Sequence, residues 1–429
     1  SMIVIVLILF LILLFAGMPV AFVLGISSLS YFLLTGSLNY LSILTFKVFT
    51  GMDNFVLMAV PLFVLTGELM NKGGITAKLV ELSNMIVGRF RGGLAYVNIL
   101  GSMFFAGITG SALADVAALG SMLIPAMEEN GYDKEYSTAV TAASAIQGPI
   151  IPPSIPAVLI AAATGISTGA LFLGGAIPGI LLGISCCIVT FVLVRKRNYP
   201  RNAKKYTPHD VFTTIRETSV ALLTPVIILG GILLGVFTPT EAAGVAVLYS
   251  IMIISLGKKR LSFKEIGSVL TNTVIATAKI YLIIGMASIF AWVLAIENIP
   301  MLIADFITGI SSNTYIILLI INLFLLFWGM WMDTAPSIMI LMPLLYPIAT
   351  RVGIHPVHFG VITIVNLMIG LLTPPFGMAL FSAQTIGKVK MNKLIKELVP
   401  FLIADFIVLG LVTMIPEISL FLPRLFGLI

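Results

Sequence analysis

Charge is scarce in this 429-residue chain: Asp, Glu, Lys and Arg together make up 10% of it, where a soluble globular domain carries about 25%. So few charged groups cannot cover a water-facing exterior. With 59% hydrophobic residues and a mean hydropathy of +1.13, the composition is that of a chain dissolved in lipid. Cysteine is almost absent. The two present, Cys186 and Cys187, are adjacent in an apolar run, where neighbouring helical side chains diverge; a disulfide framework is excluded and both read as packing. Of three histidines, His355 and His358 lie close together, but no Cys or further His completes a metal set, and both read as interfacial. A phosphate loop of the G-x-x-x-x-G-K-[ST] type is also missing, so the chain does not itself hydrolyse ATP.

What is present is a series of long apolar runs, several reaching the ~20 residues a helix needs to span a bilayer. Membrane β-barrels show ten-residue alternating segments instead, so the chain reads as an all-α polytopic membrane protein. Ser1 before Met2 reads as a cloning remnant. Residues 2–16 lack a basic leader and a small-residue cleavage site and read as a first membrane helix. The net charge of +6 does not point to nucleic acid, because of where it sits. Of 24 Lys and Arg, four lie in 72–91, six in 195–205, four in 258–264 and four in 388–396. Such clusters mark cytoplasmic loops.

One pattern occurs twice. Gly107-Ile-Thr-Gly-Ser-Ala-Leu-Ala-Asp115 is followed by Ile124-Pro125 and by Gly148-Pro-Ile-Ile-Pro-Pro-Ser154. About 220 residues later come Gly329-Met-Trp-Met-Asp333, Met342-Pro343 and Leu372-Thr-Pro-Pro-Phe-Gly377. Asp115 to Pro125 and Asp333 to Pro343 are both ten residues; Ser144 to Pro152 and Asn366 to Pro374 are both eight. Pro125 to Pro152 is 27 residues, against 31 for Pro343 to Pro374. Residues 93–130 and 313–352 read as re-entrant helical hairpins, the first with its tip at Thr109–Ser111. Residues 134–163 and 355–386 read as broken helices. Residues 36–54 read as a loop, 73–90 as an amphipathic interfacial helix, the segment after 296 as an outside loop with Glu297 and Asp305, and 398–423 as the last span. Each half then has five crossings and one hairpin. The odd number inverts the second half and puts both termini outside, the plan of two inverted repeats with a site at mid-membrane.

Broken helices leave N–H groups free at one end and C=O groups free at the other, and a membrane does not tolerate them unpaired. Carbonyl and hydroxyl oxygens with little net charge suit Na⁺; the positive helix N-termini suit a carboxylate. One cation cage is expected from Thr109, Gly110, Ser111, Ser144, Gly148 and Pro152. The other is expected from Gly329, Asp333, Thr334, Asn366, Thr373 and Pro374. Glycine lets the backbone turn its oxygens inward, and proline withholds an N–H and frees a carbonyl. Asp115 and Asp333 either touch a ligand or cap nearby N–H groups. Pro153, Ser154, Pro375 and Gly377, at the starts of the second half-helices, are the expected substrate contacts together with Asp115. Lys279 reads as a buried cation that snorkels or pairs with a carboxylate such as Glu68 or with a partner subunit. Glu241 reads as the cap of a turn between two helices, and Arg351 as flanking the outer end of the second hairpin.

At Gly107–Pro125, Gly148–Ser154, Phe237-Thr-Pro-Thr-Glu-Ala-Ala243 and Leu372–Gly377 the chain resembles the DctM-type large membrane subunit of tripartite ATP-independent periplasmic (TRAP) transporters, over essentially its full length. The resemblance implies an elevator-type transporter of the bacterial inner membrane. Scaffold segments 1–92 and 218–312 would flank transport-domain halves 93–194 and 313–429, with a cytoplasmic connector at 195–217. It further implies Na⁺ as coupling ion with no organic cofactor, a small four-helix membrane subunit of the DctQ type, and a periplasmic substrate-binding protein. The substrate would be an organic acid, either sialic acid or a C4-dicarboxylate; lipid is the surrounding partner and no nucleic acid is expected. Two other readings remain: a stand-alone dicarboxylate/sodium symporter, and an intramembrane aspartyl protease using Asp115 and Asp333.

Overall fold

The computed structural model describes residues 2–201, 204–257 and 259–429. Ser1, residues 202–203 of the expected connector and Lys258 of the third basic cluster lie outside the described residues. The chain begins with α1 (Met2–Phe15) and α2 (Val20–Leu34), parted at Gly17 and Pro19. Next come α3 (Leu41–Met52), α4 (Ala59–Lys72) and α5 (Ile75–Val87). The hairpin α6 (Gly93–Thr109) and α7 (Ala112–Glu129) precedes the half-helices α8 (Lys134–Ala145) and α9 (Ile155–Thr164), then α10 (Thr168–Arg197). After the connector the chain forms α11 (Pro208–Leu233), α12 (Pro239–Leu256), α13 (Phe263–Ile296) and α14 (Ile299–Ile310). A second hairpin, α15 (Thr314–Gly329) and α16 (Thr334–Arg351), leads to the half-helices α17 (Pro356–Gly370) and α18 (Met378–Gly387). The chain closes with α19 (Met391–Met414) and α20 (Glu417–Leu425). Among the described residues there is no β-strand; the one ladder contact is an isolated bridge between Arg91 and Arg201.

Six described helices are long and apolar enough to cross a membrane: Phe55–Lys72, Thr168–Arg197, Pro208–Leu233, Pro239–Leu256, Phe263–Ile296 and Met391–Met414. At 30 residues, α10 reaches about 45 Å and carries Arg195, Lys196 and Arg197 in its last turn, where cations suit the negative helix end. Helix starts follow the sequence closely. Thr238 and Glu241 cap α12 reciprocally: the Glu241 amide donates to the Thr238 hydroxyl at 3.2 Å, and the Thr238 amide donates to Glu241 Oε2 at 2.8 Å. Pro125 and Pro343 sit inside α7 and α16 without ending them, as membrane helices permit.

Several sequence expectations need correction. Residues 36–54 are mostly helix: α3 packs on α13, and its Phe46 and Phe49 stay exposed. The segment after Ile296 is not a loop either. Asn298, in a left-handed conformation, turns the chain into α14, which buries Ala304 and Ile307 and packs on α16. The last span ends at Met414, and Pro416 starts the separate α20. His358 is a core residue, with Nδ1 3.2 Å from the Ser419 hydroxyl and Nε2 3.3 Å from the Thr413 carbonyl. Lys279 is exposed, and Glu68 instead accepts a hydrogen bond from Asn272 at 3.2 Å. The cysteines need no correction: both are free, with Cys186 buried.

Helix packing pairs elements across the two halves. In the first neighbourhood α4 lies on α12 and α2 on α13, while α1 packs on α2 and α11 on α12. In the second, α7 lies on α18 and α16 on α9, α8 on α19 and α10 on α17, α6 on α8 and α15 on α17. The main core runs through these helices, with fully buried Phe63, Tyr136, Phe172, Phe359 and Phe401 among its large side chains. Exposed apolar residues such as Ile188, Phe212, Leu248, Val274 and Ile407 lie on the outer helix faces, as a hydrocarbon surround requires.

Candidate functional site

Two helix-to-helix reversals meet at one cavity. Its volume is about 250 Å³. Thr109, Gly110, Ser111, Ala112, Leu113 and Ala114 of the first hairpin tip line it, and so do Asp333, Thr334 and Ala335 of the second. Pro149, Ile155 and Pro156 contribute from the break between α8 and α9. A further wall is α4, through Val64, Gly67, Glu68 and Asn71, with Ala276 and Ile280 of α13, and Phe105, Leu159, Met368 and Leu371 complete the lining.

The tips are built from short-range chemistry. Gly110 ends α6 in a left-handed conformation (φ 60°), the backbone that glycine adopts at least cost. Ser111 then starts α7, its hydroxyl accepting from the Ala114 amide at 3.4 Å. Asp333 starts α16 in the same way: Oδ1 accepts from the Thr334 amide at 2.7 Å, and the Ser337 hydroxyl donates to the Asp333 carbonyl at 2.6 Å. The N-termini of α7, α9 and α16 therefore all open on the cavity, where first-turn amides and the helix dipoles favour negative charge. Against this, among the described residues the only ionisable lining groups are Glu68 and Asp333, and no Lys or Arg lines the space.

Glycine seats each hairpin on its broken helix. A Cβ on Gly110 would stand 2.7 Å from the Pro153 carbonyl oxygen, and one on Gly370 would stand 2.9 Å from Gly329 Cα. A Cβ on Gly67 would meet Thr109 Cα at 3.3 Å, so α4 also lies directly on the first tip. At the second tip the Trp331 and Phe376 rings, 4.3 Å apart, join the hairpin to the Thr373–Gly377 break. The Pro152–Pro153 and Pro374–Pro375 peptide bonds are both cis.

The residues expected from sequence divide into two shells. Thr109, Gly110, Ser111, Asp333 and Thr334 line the cavity. Ser144 and Asn366 lie behind it, each bonded to the first helix of its hairpin. Ser144 accepts from the Ser102 hydroxyl at 3.2 Å, and Asn366 donates to the Asn322 carbonyl at 2.9 Å and to Asn322 Oδ1 at 2.8 Å. Gly148, Pro152, Pro153 and Gly329 are buried beside the breaks, whereas Thr373 and Pro374 are half-buried and Pro375 is exposed. Ser154 is the N-cap of α9: its hydroxyl donates to the Pro149 carbonyl and accepts from the Ala157 amide at 3.1 Å. It does not line the cavity, and neither do Pro153, Pro375 and Gly377. Asp115 is fully buried outside the cavity. The neighbouring Ser102 hydroxyl, which donates to Ser144 at 3.2 Å, is the polar group beside it.

Sequence reasoning missed the α4 wall, Glu68 as a lining group, and the polar residues behind the seam. Asn98 donates to Thr141 at 2.6 Å, and Asn322 donates to Thr413 at 3.0 Å. The available signal was Asn98, Ser102 and Asn322 standing as isolated polar residues in apolar helices, a costly placement unless bonded. Asp405 in α19 was also missed; it is fully buried, and among the described residues neither of its oxygens has a hydrogen-bond partner.

Helical reversals and interrupted helices around a mid-chain cavity define a membrane permease. The family model described as "Tripartite ATP-independent periplasmic transporter, DctM component" matches residues 7–418, and the chain belongs to that family. It is 42% identical over 414 residues to the sialic acid TRAP transporter large permease protein SiaM of Vibrio cholerae, covering 96% of each chain. It is 38% identical to the sialic acid TRAP transporter permease protein SiaT of Haemophilus influenzae, over 99% of this chain and 69% of that protein. To the C4-dicarboxylate TRAP transporter large permease protein DctM of Pseudomonas aeruginosa it is 37% identical, over 90% of each. In fold it resembles the YdaH transporter of Alcanivorax borkumensis, with a TM-score of 0.63 over 88% of each chain at 16% identity.

Proposed function

We propose that this chain is the permease subunit that carries an organic acid anion inward across the bacterial inner membrane together with Na⁺. The supporting observation is the convergence of both hairpin tips on one cavity, with three helix N-termini suited to a carboxylate and with Glu68 and Asp333, among the described residues, as its only ionisable lining groups. An acid entering beside two carboxylates needs compensating cations, and the carbonyls and hydroxyls at the tips are hard-oxygen groups suited to Na⁺. With two or more Na⁺ per monovalent acid, each net charge moved inward gains about 2.3 kcal/mol per 100 mV, enough to concentrate the acid without ATP.

The packing supports an inverted repeat. Exchanging the halves turns α4 on α12 into α13 on α2, and α7 on α18 into α16 on α9. In the elevator reading, α6–α10 with α15–α19 carry the cavity past the wall of α4 and α13, and both termini face the periplasm. A periplasmic binding protein delivers the acid, and a small four-helix subunit of the DctQ type braces the scaffold. Sialic acid is favoured over a C4-dicarboxylate by the identities of 42% and 38% to sialic acid permeases. In proteoliposomes holding the chain with its small subunit and binding protein, uptake is expected to vanish when external Na⁺ is replaced by K⁺. Uptake that persists unchanged in K⁺ rules out Na⁺ coupling.

A further inference from the structure

A second cavity, of about 610 Å³, opens behind the wall of the first. Leu65 and Leu69 of α4, Ile254 of α12, and Val269 and Leu270 of α13 give it an apolar lining, and Arg260 of the α12–α13 connection stands among the lining residues. Leu69, Ile254 and Val269 belong with Val247 to a small core cluster apart from the main one, while Ile251, Ile266 and Leu270 at the rim are exposed. The cavity lies where Lys72 ends α4 and Ser262 starts α13, the level at which chain leaves hydrocarbon for water.

The basic side chains here are not equivalent. Lys259 donates to the Lys72 carbonyl at 2.9 Å and lies 4.0 Å from Glu265. Arg260 is exposed and, among the described residues, has no hydrogen bond or ion pair. An uncommitted guanidinium at the mouth of an apolar trough, at the membrane–water boundary, fits one chemistry: an anionic head on an acyl chain. The planar guanidinium takes phosphate oxygens in pairs, and a trough open to the bilayer takes the chain. We propose that this cavity is a binding site for an anionic glycerophospholipid, its phosphate on Arg260 and an acyl chain between α4, α12 and α13.

The site bears on transport because the same two helices form the wall of the substrate cavity. On α4, Val64, Gly67, Glu68 and Asn71 face the first cavity and Leu65 and Leu69 the second; on α13, Ala276 and Ile280 face the first and Val269 and Leu270 the second. The Asn272–Glu68 hydrogen bond ties the two helices together between the cavities. A seated lipid fixes the spacing of the wall.

The test uses the full chain, delipidated in detergent, with lipid retention read by native mass spectrometry. Dioleoyl phosphatidylglycerol is expected to be retained at least ~5-fold more than dioleoyl phosphatidylcholine, and inorganic phosphate alone is expected not to raise the thermal midpoint. Arg260→Gln is expected to abolish the preference for the anionic lipid, Arg260→Lys to keep part of it, and Leu270→Trp, which fills the trough, to lower retention of both lipids. Equal retention of the two lipids by the unaltered chain overturns the proposal without any variant. So does an undiminished anionic preference in Arg260→Gln, or a midpoint raised as much by phosphate as by lipid.

Discussion

At the scale of single residues, Gly110 carries the most. Its positive φ costs a side-chain-bearing residue about 1–2 kcal/mol, and the space a Cβ would need is taken by the Pro153 carbonyl at 2.7 Å. Gly110→Ala therefore has to part the first hairpin tip from the α8–α9 break or move the Pro153 oxygen. Because Gly110 also lines the cavity, the loss falls on transport. The variant is expected to assemble normally and to lose at least about tenfold in uptake, since a misplacement of about 1 Å at a bound group costs on the order of 100-fold. Uptake within a factor of two of the parent shows that the tip does not need this contact. Gly17 and Gly36 also have positive φ but meet nothing within 4 Å; there glycine serves the turn alone.

At the scale of elements, the seam between each hairpin and its broken helix is the repeated unit. Ser144 on Ser102 and Asn366 on Asn322 are the same junction in different residues. Removing one partner of a buried polar pair costs about 1–3 kcal/mol and loosens the break whose carbonyls face the tip. Ser144→Ala and Asn366→Ala are each expected to raise the Na⁺ concentration for half-maximal uptake severalfold, about fivefold per kcal/mol lost from the ion-bound state. An unchanged Na⁺ activation curve in both removes these seams from ion binding. Much of this was legible in the sequence, because Gly, Pro and capping residues act locally: both tips, both breaks and the Thr238–Glu241 cap fall where those residue types put them. The wall was not legible. Glu68 and Asn71 lie on an ordinary-looking span, and only the packing of α4 against the first tip brings them to the cavity. α3 and α14 were missed for a related reason: weakly polar sequence near the ends of spans reads as loop, yet it becomes helix when α13 and α16 offer a surface. Ser154 was expected, from its position just past a double proline, to meet the substrate; that position makes it the N-cap of α9, its hydroxyl is bonded there, and it does not line the cavity.

At the scale of the whole molecule, the proposed function rests on the proposal that the two halves lie upside down with respect to each other. Such an arrangement would pair α7 with α18 and α16 with α9, the contacts the helices make, and would present both hairpin tips to the one cavity they line. The most direct measurement places single cysteines at Thr207, before α11, and at Asn298, between α13 and α14, in a chain with Cys186 and Cys187 replaced by Ala. An impermeant thiol reagent is then applied to right-side-out and to inverted vesicles. Labelling of the Thr207 position only from the cytoplasmic side and of the Asn298 position only from the opposite side is the expected result; labelling of both from the same side contradicts the inverted repeat and the shared site built on it.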